Sequence, residues 1–180
     1  MKIGIDISQI AHVGTGVAQY VRAIVSELVA KDGRNEYVLF GASLRKSEVF
    51  HEFFAGLGES GSRVRLVVVP IPPTILVILW NRLHWIPVEW FIGPIDVFWS
   101  SDWTQPPLSR ARGVTTIHDV SYLTVGDSFV SHIRETQKQR LRWVKAECQR
   151  IFCDSRSTQD DVVSMMGIAK EKTVVIYPGI

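Results

Sequence analysis

His118 and Asp119 carry the sharpest chemistry in this chain. They follow Val114, Thr115, Thr116 and Ile117, a run that reads as a strand, so the imidazole stands at a carboxyl end of the kind where ligand-binding side chains of open α/β sheets gather. An imidazole titrates near neutral pH and can donate or accept a proton there; the competing reading is a loop histidine bonded to a backbone carbonyl. Gly14, Thr15 and Gly16 form a second candidate, just ahead of a helical pattern. With no Cβ at the two glycines, a ligand's phosphates can approach the backbone and meet the positive end of the helix dipole. A flexible turn into the helix is the alternative. The third candidate is the polar loop of Ser101, Asp102 and Trp103, which ends one strand at the same sheet edge where His118 ends the next. Trp103 reads as exposed, and His12, ahead of Gly14, reads as structural.

Several chemistries lack their usual residues. A dinucleotide fingerprint wants its first glycine directly after the strand and an acid at the end of the next one. Here residues 8–13 intervene, and the second strand ends in Gly41, Ala42 and Ser43. There is no nucleophile elbow, no lysine in the glycine loop and no metal-ligand spacing. Cys148 and Cys153 are too few for a disulfide framework and read as buried thiols of a reducing cytoplasm, one in a helix and one in a strand. A net charge of +2 is too mild for a nucleic-acid surface. The apolar stretch 71–98 is interrupted by Arg82, His84, Glu89 and prolines, so it does not read as a membrane span. The chain opens on a strand, which implies no signal peptide.

The elements that must position these residues form an alternating pattern. Ile3, Ile5 and Ile7 read as a strand, and Val17, Tyr20, Val21, Ile24, Val25, Leu28 and Val29 as one face of a helix. Residues 37–40, bounded by Gly41, read as a strand covered on both faces, 47–57 as a helix and 64–69 as a third strand. After the prolines at 70, 72 and 73 come a helix over 75–85, a short piece over 88–91, and strands over 95–99 and 114–117. A long helix over 129–147 carries Arg134, Lys138, Arg140, Arg142 and Lys145, which read as a solvated basic face, with a face toward anionic lipid as the alternative. Strands over 151–153 and 174–177 flank a helix with Ser157 and Asp160 as cap and capping-box residues and Gly167 as its end. The expected fold is α/β, a doubly wound Rossmann-like domain over residues 1–180 with a mostly parallel sheet of about seven strands.

With these pieces in order, the chain resembles the N-terminal domain of a family 4 retaining glycosyltransferase of the GT-B architecture. The matching segments are residues 14–20, 94–101, 116–121, 153–158 and 174–179, which together span almost the whole chain. Gln19 stands where many relatives carry arginine, and Trp99 where many carry histidine.

The resemblance implies two facing Rossmann-like domains. The acceptor is expected on this one, and the nucleotide-sugar, a GDP- or UDP-sugar, mainly on a second domain absent from these residues and supplied in cis or in trans. Gly14, Thr15 and Gly16 would close over the donor diphosphate, His118 would lie by the transferred sugar, and Asp119, Ser101, Asp102, Trp103 and Ser155 would line the cleft or hold the acceptor. No cofactor or metal is expected. The implied activity is transfer of a hexosyl unit to a polysaccharide or lipid-linked acceptor in the cytoplasm, with peripheral contact at the inner face of the membrane and no nucleic-acid partner. This chain alone would be inactive. A nicotinamide oxidoreductase fragment and a non-catalytic α/β binding module are the competing classes.

Overall fold

The computed structural model describes residues 1–58, 63–124 and 131–179. Strands β1 (Lys2–Asp6), β2 (Glu36–Ala42), β3 (Val64–Val69), β4 (Val97–Ser100), β5 (Arg112–Ile117), β6 (Cys148–Cys153) and β7 (Thr173–Val175) form a single sheet in the order β3-β2-β1-β4-β5-β6-β7. Every pairing is parallel. The order reverses between β1 and β4, and a doubly wound sheet leaves its ligand crevice open at such a reversal.

The strands are covered on both faces because their side chains alternate. Tyr37 and Leu39 of β2 join Ile5, Val21, Val25, Phe50 and Phe53 in one apolar layer, whereas Val38 and Phe40 point the other way, to Leu76, Trp80, Ile92 and Phe98. The first layer lies under α1 (Gly16–Lys31) and α2 (Ser47–Gly56); the second lies under α3 (Pro73–Leu76), the π-helix that continues it (Val77–Arg82), and α4 (Glu89–Ile92). A third cluster joins Ile117 and Ile151 to Leu141 and Val144 of α6 (Ser131–Glu147) and Val162 of α7 (Arg156–Met166).

Several boundaries differ from the sequence expectation, each for a local reason. Between β1 and α1 a 3-10 turn (Ser8–Ala11) holds Ile7 and Ile10 in the core, so Ile7 packs beyond the strand's end. Strand β2 runs through Gly41 to Ala42 because β3 pairs along its whole upper half. The helix expected over 75–85 starts at Pro73, whose fixed φ suits a first turn, and stops at Arg82. Cys148, expected in a helix, begins β6, pairing with Gly113. The cap of α7 is Ser155, not Ser157: Ser155 has extended backbone and its Oγ accepts from the Thr158 N–H at 3.0 Å, while Ser157 lies inside the helix. Gly167 closes that helix at φ 59°, as expected. The basic helix begins among the described residues at Ser131; Phe129 lies outside them.

Arg140 corrects the solvated-face reading. It is 1% exposed and shares a buried stripe with Thr136, Gln137, Leu141 and Val144, while Lys138, Arg142 and Lys145 are exposed. The spacing of four puts Thr136, Arg140 and Val144 on one side of α6, and only the packing tells which side faces inward.

Candidate functional site

The register of two strands builds the centre. Ile117 pairs with Cys153 at the ends of β5 and β6, so the next residues, His118 and Asp154, leave the sheet side by side. Their side chains meet with Nδ1 and Oδ2 at 2.6 Å, each about one-fifth exposed. A carboxylate partner keeps a hydrogen on Nδ1, which leaves Nε2 to accept in the neutral ring or donate in the charged one. The ring is wedged by Tyr20, edge-on at 4.9 Å, and the His118 carbonyl accepts from Thr158 Oγ1 at 3.2 Å. Ser155 caps α7 directly after Asp154 and so fixes the carboxylate's exit from the sheet. Asp119, although adjacent to His118, turns away: its Oδ1 accepts from the backbone N–H and hydroxyl of Ser121, at the start of α5 (Ser121–Thr124). The partner of the histidine is therefore Asp154, a residue given no role from the sequence.

Two cavities flank this edge. The larger, about 380 Å³, opens at the sheet reversal; its lining includes Ser8, His12, Thr15, Ser101, Asp102 and Trp103. The smaller, about 130 Å³, includes His118, Asp119, Tyr122, Gln137 and Arg140, and shares Asp102 with the first. Of the candidates, Thr15, Ser101, Asp102 and Trp103 thus border one space, and His118 and Asp119 the adjoining one. Gly16 borders a separate groove with Tyr20 and Tyr177. Gly14 is exposed and takes φ 91°, a left-handed bend that a residue with a Cβ resists. That bend lets Thr15 cap α1, its Oγ1 accepting from the Ala18 N–H at 3.2 Å and donating to the His12 carbonyl at 2.9 Å.

The loop after β4 is pinned from three directions. Asn81 Nδ2 donates to the Trp103 carbonyl at 3.0 Å, Gln137 Nε2 to the Asp102 carbonyl at 2.8 Å, and Arg140 Nε to the Ser101 carbonyl at 3.2 Å. The Arg140 Nη2 group also reaches Thr115 Oγ1 at 2.7 Å and the Thr116 carbonyl. Its guanidinium is buried, which lowers its pKa, while the Asp102 carboxylate opposes that shift. Trp103, expected to be exposed, is half-buried as a result. Beneath the loop, burial raises the Asp6 pKa above its ordinary 3.8; hydrogen bonds from Ser8 and Ser101 offset part of this. Asp6 was not singled out from the sequence, because its role appears only when β1 and β4 are placed together.

The cysteines are closed to chemistry. Burial pushes the Cys153 thiol up to about 11 and the Cys148 thiol up to about 12. Among the described residues no helix is long and apolar enough to cross a membrane.

A doubly wound sheet with a histidine and a glycine-bearing loop at its carboxyl edge is shared by several enzyme classes, and comparison with known proteins separates them. The family model described as Glycosyltransferase Family 4 matches residues 14–180, and the chain belongs to that family. The sheet accordingly has the form of the N-terminal half of a GT-B fold. No curated protein matches. Among solved structures, one match is the crystal structure of a short-chain dehydrogenase from Oenococcus oeni PSU-1, 10% identical, covering 99% of this chain and 96% of that one, with a TM-score of 0.44.

Proposed function

We propose that this domain is the acceptor-binding half of a retaining glycosyltransferase that moves a hexosyl unit from a GDP- or UDP-sugar to a polysaccharide or lipid-linked acceptor in the cytoplasm. The observation that carries the reading is the pair His118 and Asp154 at the sheet edge, beside a 380 Å³ cavity at the strand-order reversal. A cavity of that size suits a small-molecule ligand. The acceptor would enter between His12, Thr15 and the 101–104 loop, with Ser101 and Asp102 as its hydrogen-bonding partners and Trp103 as a flat apolar wall for a sugar ring. Residues 14–16, at the positive end of the 16-residue helix α1, would face the donor diphosphate. His118 would contact the transferred sugar through Nε2. The reading gives the remaining donor contacts to a second domain, so the 180-residue chain alone is expected not to transfer sugar.

The test is His118→Ala in the two-domain enzyme, assayed for turnover and separately for donor affinity by calorimetry. Loss of turnover by roughly 10²-fold or more, with donor affinity little changed, is expected, because a group acting on the transition state shows in the rate constant more than in ground-state binding. Full activity of the variant, or robust transfer by the isolated 180-residue chain, would overturn the assignment.

A further inference from the structure

The turn that follows the π-helical stretch is bent against its own preferences. His84 and Ile86 take φ 48° and 61°, a region that residues with a Cβ resist and β-branched ones most of all, so the surroundings enforce it. Within the turn the Trp85 N–H reaches back to the Leu79 carbonyl at 3.0 Å, and Trp80 Nε1 donates to the Ile86 carbonyl at 3.0 Å. From outside, α6 closes on it. The His84 ring lies flat on Trp143, with 3.7 Å between centroids and 7° between planes, and its Nε2 stands 2.6 Å from Glu147 Oε1. Trp143 in turn donates from Nε1 to the Asn81 carbonyl at 2.8 Å.

Both ring nitrogens of His84 face oxygens that accept. Nδ1 lies 2.9 Å from the Trp80 carbonyl, which has no hydrogen to give, so Nδ1 carries one. A neutral ring with its hydrogen there points an Nε2 lone pair at Glu147, and an ionised carboxylate answers with another lone pair. The 2.6 Å contact therefore requires one more proton between Nε2 and Oε1, whichever atom holds it. At His118 only Nδ1 meets a carboxylate, and one hydrogen satisfies the contact. Glu147 Oε2 is buried without a hydrogen-bond partner among the described residues, so the hydrogen bonding of this carboxylate runs through His84. Charged side chains on the packed elements include Arg82, two residues before the ring, and Arg142, whose guanidinium lies 5.2 Å from the centroid of the indole on which the ring stacks; Glu147 is the one hydrogen-bonded to it.

The contact bears on the larger cavity through Asn81. This side chain, 2% exposed, gives Nδ2 to the Trp103 carbonyl at 3.0 Å and takes the Gln105 N–H on Oδ1 at 3.0 Å, so it clips the loop on either side of Thr104, and Trp103 and Thr104 both line the cavity. We propose that His84 is a positioning residue for the 101–105 loop: the proton it shares with Glu147 holds the turn and Trp143 together, Trp143 holds Asn81, and Asn81 holds the loop. When that proton leaves, two lone pairs oppose each other, the bent turn is no longer enforced, and the loop loses an anchor. The cavity wall is thus ordered in the protonated state and loosened as pH rises. That the loop receives an acceptor rests on the function proposed above; its dependence on His84 does not, and the experiment below measures no transfer, so failure of either proposal leaves the other standing.

The experiment is amide hydrogen exchange by NMR on the purified 180-residue chain from pH 5 to pH 9, read as protection after correction for each amide's intrinsic rate. The Gln105 N–H, which donates to Asn81, should lose about tenfold or more of its protection in a one-proton step as pH rises, while the amides that join β1 to β2 keep theirs. Glu147→Gln is the deciding variant. Its amide can accept from an Nε2–H or donate to a bare Nε2, so the contact survives in both states and protection at Gln105 should stop depending on pH. Glu147→Ala serves neither state and should show the loosened loop across the whole range; if it also lowers protection in the β1–β2 ladder, the Gln variant decides alone. Protection at Gln105 that is flat with pH in the native chain, a step that Glu147→Gln leaves in place, or an equal loss in the β1–β2 ladder of the native chain would overturn the proposal.

Discussion

With Nδ1 occupied by Asp154 at 2.6 Å, the His118 ring has only Nε2 for a ligand, so the carboxylate selects which nitrogen works. Asp154→Asn keeps the shape but can offer its NH₂ to Nδ1 and favour the other tautomer. Turnover of the two-domain enzyme should fall by roughly tenfold or more, and the pH–rate profile should shift. An unchanged profile and rate would make the contact merely structural. Asp6 gives a prediction on stability. A carboxyl whose pKa is raised by folding holds more protons in the folded than in the unfolded state once pH exceeds the ordinary 3.8, so its contribution is intact below that value and is lost as pH rises through the raised pKa. Asp6→Asn, which keeps an oxygen for the Ser8 N–H, should therefore raise the melting temperature at pH 7 and change it little at pH 3. Equal effects at both pH values would refute the buried-charge account. His118 was legible as a candidate because an imidazole after an apolar strand is visible in one dimension. Asp154 and Arg140 were not, since the first depends on the β5–β6 register and the second on which side of α6 faces inward.

At the scale of elements, hydrophobic period identified strands and long helices well, because each buries a face whose spacing the sequence repeats. Termini were less legible: they depend on one or two hydrogen bonds that neighbouring serines can compete to make. The case of α7 can be tested. Ser155→Ala removes the oxygen that accepts from Thr158 and should cost about 1 kcal/mol, whereas Ser157→Ala, inside the helix, should lie within about 0.5 kcal/mol of neutral, both by urea denaturation. The reverse order would restore Ser157 as the cap. The π-helical turn was illegible for a different reason. Its sequence, Val77 to Arg82, has no proline or glycine to announce it, and the turn is held from outside by Trp143 and Glu147 of α6.

For the whole molecule, alternation of strand and helix was enough to indicate a parallel, doubly wound sheet, since short connections and right-handed crossovers leave few other solutions. The order itself has a consequence for synthesis. β1 is made first but lies between β2 and β4, and β4 begins only at Val97. At typical ribosomal rates one edge of that strand waits on the order of 5–20 s for its partner, and an unpaired strand edge invites pairing with another nascent chain. Chains ending at residue 96 should therefore precipitate or remain on chaperones, as sedimentation of translation products would reveal; a soluble monomer of that length would contradict this. The strand placement that opens the ligand crevice in the finished protein thus leaves the growing one exposed, so tempo of translation and chaperone supply become conditions for making it.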